Sequence, residues 1–89
     1  KSRKLKQETT PEFAEWALDI FEVGKEYDRK ALWRSFKEAY DPDYDDLYNG
    51  TFGKWLSAYC QIYGLDLDQK RRTVKSGRKR FVTFCEVEE

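Results

Sequence analysis

The chain has 89 residues, a size for one small domain. Lys and Arg balance Asp and Glu at 17 each, so the net charge is zero and gives no monopole by which to guess a partner. Histidine is absent, which removes serine–histidine and cysteine–histidine nucleophile pairs and every histidine-ligated metal centre. A mean hydropathy of −0.93 approaches disordered chains, but 17% aromatic residues supply a core and argue for a folded domain.

The N-terminal run KSRKLKQE has no apolar periodicity and reads as a flexible basic lead-in over 1–9. A first helix starts in TTPEFAEWALDIF. Thr10 is its cap, Pro11 suits the first helical position, and Phe13, Trp16, Ala17 and Ile20 form one apolar face. Gly24 is the expected terminator. The short KEY segment is extended. Asp28 then caps a second helix, RKALWRSFKEAY, which Asp41-Pro42 ends.

The loop DPDYDDLYNG holds Asp41, Asp43, Asp45 and Asp46. Their spacing copies the start of a calcium loop, but the sixth position is Asp46 rather than glycine and the twelfth is Phe52 rather than glutamate. A solvated acidic loop is the expectation, with no metal and no cofactor.

A third helix follows in TFGKWLSAYCQIY, capped by Asn49 or Thr51 and ended by Gly64. Phe52, Leu56, Tyr59 and Tyr63 line one face. Thr51, Lys54, Ser57, Ala58 and Gln61 line the other, and no acidic residue lies between Thr51 and Leu65. The C-terminal part reads as a β-hairpin turned at Ser76-Gly77. Its tip and arms carry Lys70, Arg71, Arg72, Lys75, Arg78, Lys79 and Arg80, with no carboxylate among residues 70–80. Residues 1–50 are net −3 and residues 51–89 net +3, so charge is separated along the chain.

Helix, short strand, helix, loop, helix and hairpin is the element order of a winged helix-turn-helix domain, an α+β fold of three helices and a small antiparallel sheet, here over 10–89. In that architecture the third helix enters the DNA major groove and the hairpin is the wing. Lys54 suits a phosphate or guanine, Gln61 an adenine edge and Ser57 either, while Thr51 sits where a helix N-terminus meets phosphate. Alternation sends Lys70 and Arg72 to one face of the hairpin and Arg71 to the other. Seven cations on so small a surface fit a polyanion. Two other partners fit the same residues: RNA on the wing, or a protein on the acidic and aromatic surface of Trp33, Tyr44, Tyr48 and the Asp cluster. Catalysis is not expected, and Cys60 and Cys85 read as reduced thiols of a cytoplasmic protein. The lack of any methionine, even at position 1, suggests a domain of a longer protein.

PEFAEWALDIF, KEYDRKALWRSFKEAYD, TFGKWLSAYCQIYGL and a basic hairpin ending in RFVTF together resemble the C-terminal winged-helix domain of phage- and plasmid-type primase-helicases, over about residues 11–87. The resemblance implies an accessory role in replication of a mobile element. The motor of the parent protein would consume ATP, while this domain holds DNA at an origin or fork. By position, the contact surface would be Thr51, Lys54, Ser57 and Gln61 with Lys75, Arg78, Lys79 and Arg80. The acidic loop departs from such a surface, since four carboxylates repel phosphate.

Overall fold

Pro11 can start a helix without a lost hydrogen bond, because the first helical N–H has no partner anyway. In the computed structural model, which describes residues 2–87, it opens helix α2, Pro11–Ile20, and Thr10 Oγ1 accepts from Phe13 N at 3.1 Å. Before it lies α1, Ser2–Glu8, where the sequence suggests an unstructured lead-in. The physical reason is Leu5. It is completely buried, and α1 packs on α2 and α4 around it. The described residues therefore contain four helices rather than three.

Helix α2 stops at Ile20, short of Gly24. Phe21 turns extended and inserts its ring into the core, 4.4 Å from that of Phe84. The loose helix end is stitched by Tyr27, whose hydroxyl accepts from Glu22 N at 2.9 Å and donates to Ile20 O at 3.1 Å. Gly24 has another task. At φ 85° it swings the chain beside the sheet, and its N–H donates to Phe84 O at 2.7 Å.

Strand β1, Glu26–Asp28, leads directly into α3, Arg29–Ala39. Asp28 Oδ1 accepts from Lys30 N at 3.0 Å and Ala31 N at 3.3 Å, the capping expected of it. Asp28→Ala is expected to lower stability by about 1 kcal/mol, and a urea melt measures it. A loss below experimental error would mean that the cap bonds add nothing net.

Turns through Asp46 lead to α4, Asn49–Tyr63. Its N-cap is Tyr48, with no side-chain cap bond, so neither Asn49 nor Thr51 caps it. Gly64 ends it in the left-handed conformation, φ 67°. Strands β2, Leu65–Val74, and β3, Gly77–Glu86, form the hairpin. The turn residues are Lys75 and Ser76, both at negative φ; Gly77 opens β3 at φ 119°.

The sheet is antiparallel in the order β1-β3-β2. Val82 and Phe84 of β3 face the helices and are completely buried, together with Phe13, Phe36, Phe52 and Leu56. Phe13 is the hub of this core, its ring packed with those of Trp16, Phe21, Phe36, Phe52 and Trp55. The fold is thus α+β: one helical layer on a three-stranded antiparallel sheet.

Candidate nucleic-acid interface

The pleat sorts the hairpin's cations into two sets. Leu67 pairs with Phe84 and Gln69 with Val82, so these positions mark the core-side face. Continuing by twos toward the tip, Arg71 opposite Arg80 and Thr73 opposite Arg78 lie on that same face, beyond the end of the core. Lys70, Arg72 and Lys79 lie on the outer face.

The outer set is neutralised. Arg72 reaches across β3 and grips Glu26 with two bonds of 2.8 Å, while its guanidinium lies 5.3 Å from the Phe81 ring centre. Lys79 Nζ is 3.4 Å from Asp28 Oδ2 and Lys70 Nζ is 3.8 Å from Asp68 Oδ2. Exposed pairs of this kind add little stability, but they cancel local charge. Arg71, Lys75, Arg78 and Arg80 have no carboxylate partner among the described residues. The unpaired cations thus sit at the turn and on the core-side face.

That face overhangs the start of α3 and encloses a cleft of about 810 Å³. Six cations line it: Arg29, Lys30 and Arg34 from α3, and Arg78, Lys79 and Arg80 from β3. Among the described residues two carboxylates do, Asp28 and Glu38, and Asp28 is already engaged by Lys79 and by the α3 cap. Burial, with the nearby charge of Arg80 second, lowers the pKa of Arg29. From α4 Asn49 lines the cleft, and its side-chain oxygen is buried without a hydrogen-bond partner among the described residues.

The other sequence-derived candidates lie outside the cleft lining. Lys54, Ser57 and Gln61 form an exposed stripe along α4, and Thr51 is half-buried in its first turn. The structure brings them together with one another, not into the cleft. Arg29, Lys30 and Arg34 were not singled out by sequence. A signal was present nonetheless: two cations in the first turn of a capped helix oppose its macrodipole, an unfavourable placement without an anionic partner.

Carboxylates gather at the opposite end of α3. Tyr40 is raised in pKa by burial first, then by Glu15, Glu12 and Asp19. Beyond it Asp45 is raised, chiefly by its hydrogen bond with Asp41. Among the described residues no group of His, Cys, Asp or Glu is arranged to hold a metal ion. The aromatic surface is mostly spent on packing. Trp33 Nε1 donates to Leu47 O at 3.1 Å and the Tyr44 ring packs tilted against that of Phe36, centres 4.8 Å apart, while Tyr48 is exposed at 73%. Both cysteines are free; burial pushes the Cys60 thiol up to about 11, so it is protonated and unreactive at neutral pH. Among the described residues no helix is long and apolar enough to cross a membrane.

Comparison with protein-family models, curated proteins and solved structures yields no match to this chain. The reading of function therefore rests on the residues and their geometry.

Proposed function

We propose that this chain is a DNA-binding module of winged-helix type, with α3 and α4 as the helix-turn-helix pair and the β2–β3 hairpin as the wing. The reading favours the accessory DNA-holding domain of a primase-helicase, the family that the motifs of α2, α3 and α4 resemble. The element order α2-β1-α3-α4-β2-β3 and the strand order β1-β3-β2 support it. The observation that carries it is the placement of unpaired cations. Four hairpin cations lack a carboxylate partner among the described residues, and two of them, Arg78 and Arg80, face Arg29, Lys30 and Arg34 across an open cleft. A folded chain stabilises such a cluster poorly by itself, and a phosphate backbone stabilises it well.

Binding in this reading is mostly to backbone, with the α4 stripe of Lys54, Ser57 and Gln61 available for base edges. The Asp41–Asp46 loop lies at the far end of α3 and is not a DNA contact.

The test is a titration of a random duplex across a salt series. The logarithm of affinity should fall steeply with that of salt, by about 0.9 for each phosphate neutralised. The triple variant Arg71→Gln/Lys75→Gln/Arg78→Gln should lower the slope by about three, and Arg72→Gln should leave it unchanged. Absence of binding at low salt, or a slope indifferent to the triple variant, overturns the reading.

A further inference from the structure

We propose that Arg29 and Arg80 form a two-guanidinium clamp for a single nucleic-acid phosphodiester, and that Gly53 is the positioning residue that lets Arg29 occupy its jaw. The inference rests on the DNA-binding reading and names the one phosphate that this site would hold.

The sheet register builds the jaws. Asp28 and Phe81 are the last register pair of β1 and β3; Arg29, which opens α3, and Arg80 each adjoin that pair, and both line the cleft. The charge of Arg80 is felt at Arg29, and neither arginine has a carboxylate partner among the described residues. Of the two carboxylates that line the cleft, Asp28 is engaged by Lys79 and by the cap bonds. Among the described residues the Arg29 side chain has one hydrogen-bond partner, Asn49 O at 3.4 Å, which leaves the rest of its five-donor fork uncommitted there. Arginine forks match phosphate oxygens in pairs, which makes them suited to this task.

Gly53 supplies the second, independent feature. A Cβ built on it would meet Arg29 Nη2, so the guanidinium lies against bare backbone of α4. A glycine inside a helix is unfavourable relative to alanine. Here the bare position gives the arginine a fixed resting place beside the start of α4 and in the cleft. The repulsion that Arg80 exerts on Arg29 is then the interaction that a bound phosphate would reverse.

A double-variant cycle with a random duplex tests the clamp. Arg29→Gln and Arg80→Gln are each expected to weaken binding about tenfold and to lower the salt slope by about one. The double variant should lower the slope by about one again, not two, because both arginines serve the same phosphate. Gly53→Ala keeps both charges and favours the helix, yet should copy Arg29→Gln by displacing its fork. Thermal melts of all four variants with midpoints at or above that of wild type exclude unfolding as the cause. If wild type binds and responds to the Arg71/Lys75/Arg78 variant, but Arg29→Gln and Arg80→Gln do nothing, the clamp is wrong and the module reading stands. A slope loss of about two in the double variant assigns the arginines to separate phosphates and also overturns the clamp. A Gly53→Ala protein of full affinity removes the positioning role. Failure of wild type to bind overturns the module reading itself.

Discussion

Phe13→Ala is expected to lower stability by about 3–5 kcal/mol. Phe13 is completely buried, and its ring centre lies 5.3 Å from that of Trp55, 5.8 Å from Phe36 and Phe52, 6.0 Å from Trp16 and 6.2 Å from Phe21. The Phe21 and Phe52 contacts are edge-on, the geometry that adds electrostatic attraction to burial. Five rings fixed around one void cannot collapse together without breaking their own mutual contacts, so little of the cavity would be recovered. A domain of this size has a total stability of about 5–15 kcal/mol, so the loss takes a large share of it. A urea melt at 25 °C would show a markedly lower midpoint with an unchanged slope. A midpoint close to wild type would show that the core has no single hub.

Leu5→Ala is expected to lower stability by about 2–5 kcal/mol. Helix α1 has seven residues, too few to persist alone in water, so its docking on α2 and α4 depends on the burial of Leu5. Thr9 closes the segment, with its hydroxyl donating to Leu5 O at 2.6 Å. Removing residues 1–8 should therefore cost about as much as the point substitution. Amide exchange adds the spatial information: protection should vanish in residues 5–9 of Leu5→Ala and persist in β3. Full protection throughout would mean that α1 is held by something other than Leu5.

The same leucine shows where sequence reasoning stopped. One apolar residue among seven polar neighbours has no period, so nothing local announces a helix there; only the surfaces of α2 and α4 make it one. The larger elements were legible because their signals are local. Thr10 and Asp28 cap α2 and α3, and Gly64 ends α4 in the conformation that glycine favours. Gly24 does not end α2, because Phe21 leaves the helix earlier to reach Phe84, a gain made across the fold. In the candidate interface, the alternation of hairpin cations was legible, and which face would be neutralised was not. That depends on β1 lying next to β3, which brings Glu26 and Asp28 within reach of Arg72 and Lys79. Arg29 belongs to the same class. Its place in the same cleft as Arg80 depends on the pairing of Asp28 with Phe81, residues about fifty positions apart.

Helix α3 has a consequence for how the molecule moves before it touches anything. Its eleven residues span about 16 Å, with Arg29 and Lys30 at one end and Tyr40, close to the carboxylates of α2 and the Asp41–Asp46 loop, at the other. The protein is thus a neutral body with separated poles. A distant polyanion exerts almost no net pull on such a body, but it exerts a torque. In the proposed role the domain would rotate before contact and arrive cleft first. Its acidic pole would then face outward and repel a second strand of nucleic acid, so that each copy engages one duplex and does not bridge two.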